Sequence, residues 1–429
     1  MAIVAVASGI GVCWWLAGRT GPPPAAPLRA ESLWALAVAY APAAAWLLAA
    51  IGLGRLVSPI LPVLATRLQR TLVATAVGVA LLMAIDSLLG RLGLLTAGGG
   101  TLAWGLTASL ALAAAIPRRS PPPSEDHDPP DALPGWVGLA FAPALGALLL
   151  ASLAAPGWLW SSEFGGYDVL SYHLLLPREW FESGVMGPLA HNAYSGLPSH
   201  VEASTLHLMA LVRDPLAAAL PAQALQACLA ALAAATIAAA ARCWFGASAG
   251  LLAAGVFLGT PWTVVTGSLA YNEATVSLML AAGLVLTVPE PPPAGGGPGD
   301  LRRRAGVVGI LAAGAVGAKA TSIALVALPL GVLLLKAAPR GRRLSAALLG
   351  SLAALPMLAP WLLQNTVEFG QPFFPLLAGV LGGGGWSPEQ IAIFNTAHGP
   401  PAGAGAGGWV TAFVDELLRH GLGPNPTPG

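Results

Sequence analysis

The sequence predicts an all-α, polytopic integral membrane protein of about eleven transmembrane helices, with a large outer loop bearing short amphipathic helices. Three observations carry this. The chain is 56% hydrophobic and only 9% charged, where soluble domains carry about 25% charged residues. Its mean hydropathy is +0.72. Uncharged apolar runs recur from end to end, near the length of about 20 residues that crosses a hydrocarbon core as a helix. The alternation expected of membrane-spanning β-strands is absent.

The candidate spans are 2–17, 32–56, 72–90, 101–116, 136–155, 215–241, 248–266, 271–288, 305–318, 321–337 and 344–363. The first has no basic n-region and no small-residue cleavage site, so it reads as a retained helix and not a signal peptide. Breakers separate the runs: GPPPAAP after the first, IPRRSPPPSEDHDPPDALPG between the fourth and fifth, PEPPPAGGGPGD after the eighth. The last two have the composition of disordered linkers. Four regions follow: N-terminal helices at 1–117, a Pro-rich acidic linker at 118–135, a membrane module at 136–380 with an outer loop at 157–214, and a Gly/Pro-rich tail at 381–429. Cys13, Cys228 and Cys243 sit in or beside apolar runs without metal-ligand spacing and read as packing residues. The net charge of +1 gives no reason to expect nucleic acid as a partner.

Basic residues choose the orientation. With the N-terminus cytoplasmic, thirteen fall inside: Arg55, Arg67, Arg70, Arg118, Arg119, Arg242, Arg302, Arg303, Arg304, Lys336, Arg340, Arg342 and Arg343. Seven fall outside: Arg19, Arg29, Arg91, Arg178, Arg213, Lys319 and Arg419. Every basic cluster is then inside, as expected for the cytoplasmic (inner) membrane. The scheme needs residues 199–213 to be an amphipathic helix on the outer face. It also needs 305–336 to be two short spans turning at Lys319-Ala320-Thr321.

The polar chemistry then collects on one side. Ser161 to Glu202 carries the acids Glu163, Asp168, Glu179, Glu182 and Glu202 and three of the chain's seven histidines. Glu273, Lys319 and the segment LLQNTVEFGQPFFPLL share that outer face. Four stretches thus bring acid, cation and aromatic groups to one membrane surface, as an interfacial active site requires.

Tyr167-Asp168, Tyr172-His173 and Pro177, then Trp180, Gly184, Tyr194 and Pro198, resemble the first large outer loop of the GT-C superfamily of membrane glycosyltransferases. The nearer types are the protein O-mannosyltransferases and lipid A aminoarabinose transferases. Tyr271-Asn272-Glu273 stands where such proteins often place a second acid at a helix start. Gly317-Ala318-Lys319-Ala320-Thr321 resembles their lysine-bearing turn, and Asn365 to Pro375 their N-x-x-x-x-G-N-P segment. The resemblance covers residues 136–380. The chain departs from the pattern with five spans ahead of the loop, Glu273 where Asp is common, and Gln371 where Asn is frequent.

The resemblance implies transfer of a sugar from a polyprenyl-phosphate donor to a glycan, lipid or protein acceptor at the outer face, with membrane lipid around it. Such a reaction needs a carboxylate to take the acceptor proton and a fixed cation for the leaving phosphate. Asp168 is the choice for general base, Glu273 for the supporting acid, and His173 for orienting Asp168 or binding acceptor. Lys319 is assigned to the donor phosphate, with Arg178, Tyr172, Tyr167 and Asn365 as further substrate contacts. The plainer readings are a solvated loop carboxylate for Asp168, a helix N-terminal acid for Glu273 and a snorkelling cation for Lys319. Asp86 reads as a partner of Arg91. No cofactor is expected. A divalent metal is a minor alternative: His191, His200 and His207 could join Glu202 as ligands, though their spacing matches no compact motif, and Glu273 could support a metal. Two rival functions stand beside the enzyme: a transporter or flippase, and a catalytically inactive assembly subunit. A transporter would place its ionisable groups near the bilayer midplane, within inverted repeats.

Overall fold

Long apolar runs satisfy their backbone in a dry environment only through the helix's own hydrogen bonds. The computed structural model describes residues 30–96, 98–116, 141–160, 166–288 and 298–398, with single positions 408, 411 and 414. Among these residues there is one isolated bridge, Leu189 to Asn192, and no strand. The expected span 2–17, the linker 118–135 and most of the tail beyond 398 lie outside the described residues.

The helices run α1 Ala30–Val57, α2 Arg67–Arg91, α3 Gly100–Ala115, α4 Ala142–Ala151, α5 Leu175–Ser183, α6 His200–Val212, α7 Ala219–Phe245, α8 Ala247–Gly259, α9 Pro261–Ser268, α10 Glu273–Thr287, α11 Pro298–Ala318, α12 Leu328–Ala337, α13 Arg343–Phe369, α14 Ala378–Leu381 and α15 Pro388–His398. Local signals set several ends. Thr66 caps α2 by accepting from the Gln69 amide at 3.1 Å. Gly184, with φ of 89°, closes α5 in the left-handed conformation.

Four of these stretches are long and apolar enough to cross a membrane: Ala37–Ile60, Arg67–Arg91, Ala219–Phe245 and Arg340–Phe369. A fifth is the pair Ala247–Gly259 and Pro261–Ser268, bent by 64°. The sequence predicts 248–266 as one span. Pro261 lacks the N–H that would continue the helix, and α9 restarts with proline in its first turn. The other expected spans are shorter apolar helices: Gly100–Ala115, Ala142–Ala151, Glu273–Thr287 and Ile323–Ala337. α11 is 21 residues long, but Asp300 and Arg302 to Arg304 occupy its first turns. Among the described residues the architecture is thus all-α with four or five helices apolar and long enough to span a membrane; the expected eleven are not all of that length.

Small residues let the helices approach. A Cβ on Gly78 would strike the Ala50 carbonyl of α1, and one on Gly309 would strike Gly350 of α13. Both are backbone contacts of the kind seen in apolar bundles. α10 and α11 lie antiparallel: Arg304 Nη1 donates to the Leu286 carbonyl at 3.0 Å, and at the other end Asn272 Nδ2 donates to the Ala318 carbonyl at 2.7 Å. The bundle therefore has a basic end and a mixed polar end. At the basic end Arg70 reaches the Ser58 carbonyl at 3.1 Å, Arg55 reaches the Ile116 carbonyl at 2.9 Å, and Arg304 pairs with Asp300 at 2.7 Å.

The region 199–213 departs most from expectation. α6 is not an amphipathic surface helix. Every residue from His200 to Leu211 is buried, packed among α1, α2, α3, α5, α7 and α11. Two of its ionisable residues, Glu202 and His207, meet buried partners there. His207 Nδ1 meets Asp86 Oδ1 at 2.7 Å, and its Nε2 meets Thr107 Oγ1 at 2.9 Å. Asp86 Oδ2 accepts from Trp46 Nε1 at 2.8 Å. Asp86 thus pairs with His207 and Trp46, not with Arg91. A pattern with polar residues on more than one side looked like a surface helix only because those partners come from 121 residues away or from other helices.

Breaking a buried pair by removing one partner leaves the other group uncompensated, at about 3–5 kcal/mol. Asp86→Ala is therefore expected to lower the unfolding temperature in detergent sharply. The double variant Asp86→Leu with His207→Leu should recover much of the loss. Equal melting of Asp86→Ala and the parent chain would show that the pair holds nothing together.

Candidate functional site

The polar loop enters the site through Gly166, whose φ of 74° and close approach to Gly157 leave no room for a side chain. A π-turn follows over Val169–His173, closed by the Leu174 amide donating to the Val169 carbonyl at 2.9 Å. The wider turn carries Tyr172 back over the start of the loop. Its phenol donates to Asp168 Oδ2 at 3.0 Å. The Tyr172 ring stacks on Tyr194 with centroids 4.4 Å apart. Burial, with the Asp168, Glu202 and Glu273 carboxylates nearby, raises the phenol's pKa well above its ordinary value, so Tyr172 stays a donor.

His173 turns inward. Its Nδ1 lies 2.6 Å from Glu202 Oε1 on α6, and both side chains are buried. Its ring faces Tyr271, with centroids 5.2 Å apart. Tyr271-Asn272-Glu273 forms the start of α10. There the Asn272 bond to Ala318 fastens the start of α10 to the end of α11. That tie sets the register by which Glu273 forms an ion pair with Lys319. His200, two residues before Glu202, lies over Gly317 so closely that a Cβ there would enter its imidazole. Burial, then the charge of Arg91, pushes the His200 pKa down to about 4, so this ring is neutral.

Asp168 and Glu273 line one cavity of about 390 Å³. Its walls include Trp262, Thr263 and Thr266 of α9 and Phe257 of α8, so it opens at the bend between these helices. Four hydroxyl-bearing residues (Thr263, Thr266, Tyr271 and Ser277) and two carboxylates line an otherwise apolar space. The arrangement can accept a proton, donate several hydrogen bonds, and hold an apolar chain beside them.

The predicted residues divide. Asp168, Tyr172, His173, Glu273 and Lys319 are brought together through direct contacts or the shared cavity. Tyr167 is 60% exposed and does not line the cavity. Arg178 points to solvent and pairs with Glu182 at 2.9 Å, which raises its pKa; it does not line the cavity. Asn365 is a correction. It is buried, and its Nδ2 donates to the carbonyls of Gly196 at 2.8 Å and Phe374 at 3.0 Å. It clamps the loop to the end of α13 and has no surface for a substrate. Trp361 Nε1 donates to the same Gly196 carbonyl at 2.8 Å.

The candidate metal ligands are dispersed. His191 pairs with Glu179 at the surface at 3.0 Å, His207 with Asp86 at 2.7 Å, and Glu202 with His173 at 2.6 Å. Among the described residues no three His, Cys, Asp or Glu side chains converge as metal ligands. Sequence reasoning missed Glu202 as the partner of His173, Asn272 as the α10–α11 tie, and the α9 wall. Pro261 within an apolar run signalled the last of these. Nothing local signalled the first two. No family model, curated protein or solved structure matches the chain.

The His200–Gly317 contact positions the lysine turn. Gly317→Ala should cost about 1–3 kcal/mol through overpacking, read as a lower unfolding temperature. Adding His200→Ala to the same chain should return about 1 kcal/mol or more through their coupling. Strictly additive losses would mean that the two residues do not touch.

Proposed function

We propose that the protein is an integral membrane glycosyltransferase of GT-C type, using a polyprenyl-phosphate sugar at the extracytoplasmic face of the cytoplasmic membrane. The observation that carries the reading is that Asp168 and Glu273 line one cavity while Glu273 holds Lys319 beside it. The separation of this polar end from the basic end supports the orientation, because arginine-rich ends are retained in the cytoplasm.

The roles follow from the groups. Asp168 takes the proton as the acceptor hydroxyl attacks the anomeric carbon. The bond from that carbon to the phosphate oxygen breaks, and the phosphate leaves with its lipid. Lys319 has three donors, of which Glu273 takes one, so it retains hydrogens for the leaving phosphate. Tyr172, donating to Asp168, fixes the carboxylate, and the Glu202-held His173 fixes the strip that carries both. The apolar walls from Phe257 and Trp262 suit the first isoprene units of the carrier. The acceptor is a glycan, a lipid or a protein hydroxyl.

A transporter is the second reading, favoured by the α8–α9 break at the cavity, since broken helices form binding sites in transporters.

Asp168→Asn reconstituted in proteoliposomes with a polyprenyl-phosphate sugar should lose transfer by about 10²–10⁴-fold, with unchanged insertion and melting. Full turnover in that variant removes Asp168 from the mechanism. Movement of the lipid-linked sugar between leaflets without any product, in the parent chain, selects the transporter. Cysteines placed at 168 and 319 should both react with an impermeant reagent from the outside of intact cells, and reaction from the inside would invert the orientation.

A further inference from the structure

The basic end holds a second site that the glycosyl-transfer reading does not use. α11 and α13 run parallel from this end, and their first turns leave a notch of about 200 Å³ between them. Leu301, Arg302, Arg342, Ser345, Ala346 and Leu349 line it. Among the described residues neither Arg302 nor Arg342 has an acidic partner. Asp300, the nearest acid along the chain, is already taken: it pairs with Arg304 at 2.7 Å and accepts from the Val63 amide at 2.8 Å. Ser345 Oγ donates to the Arg342 carbonyl at 2.8 Å, which leaves the two guanidinium groups as the donors facing the notch. Arg303, Arg340 and Arg343 add positive charge around it, and among the described residues none of them forms an ion pair with an acid.

Below the notch the two helices close. Gly309 meets the Gly350 backbone too tightly to admit a side chain, so nothing threads between them. Beside it, on α13, Leu344, Leu348, Leu352 and Leu355 are all more than half exposed. Their spacing of four, four and three residues makes one apolar stripe that starts at the notch and runs along the helix.

We propose that the notch binds the phosphodiester of an anionic phospholipid through Arg302 and Arg342, with the acyl chains lying on the leucine stripe. Two guanidinium forks match the phosphate oxygens. The apolar stripe continues from the head group in the direction the chains must take. A zwitterionic lipid brings its own cation to the notch and gains nothing there. The site needs only that the bundle sits in a membrane, so it stands or falls separately from sugar transfer.

The test uses the full chain in mild detergent, offered phosphatidylglycerol or phosphatidylcholine of identical chains, with bound lipid counted by native mass spectrometry. Phosphatidylglycerol should stay bound through washing and phosphatidylcholine should not. Arg302→Gln with Arg342→Gln should cut phosphatidylglycerol occupancy roughly thirtyfold, and Arg302→Lys with Arg342→Lys, which keeps the charge but loses the forks, should fall between the Gln variant and the parent chain. Equal retention of both lipids by the parent chain overturns the proposal and needs no variant. So does full retention of phosphatidylglycerol by the folded Gln variant. Displacement of the lipid by millimolar inorganic phosphate would assign the notch to free phosphate instead.

Discussion

The buried pairing of α6 with its surroundings is the constraint on which the rest of the structure depends. A helix carrying His200, Glu202 and His207 lies wholly inside an apolar bundle. That is tolerable only because ionisable groups from other elements meet it there: Asp86 from α2 at 2.7 Å and His173 from the outer loop at 2.6 Å. Unpaired buried charge costs several kcal/mol, so the helix can occupy this place in one register only. Trp46 and Thr107 extend the Asp86–His207 pair to α1 and α3, so a single network joins four helices. Glu202, five residues before His207 on the same helix, then fixes the loop strip that carries Asp168.

From this fixed helix the site is assembled outward. His200 rests on Gly317 and sets the end of α11. Asn272 binds the Ala318 carbonyl, which brings the start of α10 alongside and pairs Glu273 with Lys319. The π-turn at 169–173 aims Tyr172 at Asp168 from the other side. π-turns cost regular hydrogen bonding and recur at functional sites. The bend after Gly259 opens the apolar side of the cavity. Rigid pairs thus hold three walls, and a helix break supplies the entrance. Pre-organised donors and acceptors of this kind act on developing charge without having to reorganise first.

The two ends of the bundle have different chemistry for a physical reason. Arginine at the basic end satisfies carbonyls that helix ends leave open, as Arg55 does at Ile116 and Arg304 at Leu286. The polar end instead carries pairs of opposite charge and stacked aromatics, including Tyr172 on Tyr194. A strongly anionic ligand meets fixed, uncompensated cations at one end. At the other it meets a site whose charges are paired, as Glu273 with Lys319.

Much of this was legible from composition and spacing. Helical class, the apolar stretches, and the gathering of Asp168, Tyr172, His173, Glu273 and Lys319 at one end all follow from runs of apolar residues and the placement of charge between them. Hydrophobic burial is a property of local sequence windows, so a chain read without partners reports it well. What tertiary structure alone decided was pairing. Asp86 chose His207 over the nearby Arg91, Glu202 chose His173, and Asn365 spent its donors on the Gly196 and Phe374 carbonyls. The helix 199–213 went inside because of those choices. A hydrogen bond acts over about 3 Å, and its partners stand 121, 29 and 169 residues apart along the chain. No local pattern encodes that distance; only the packed bundle brings it to contact.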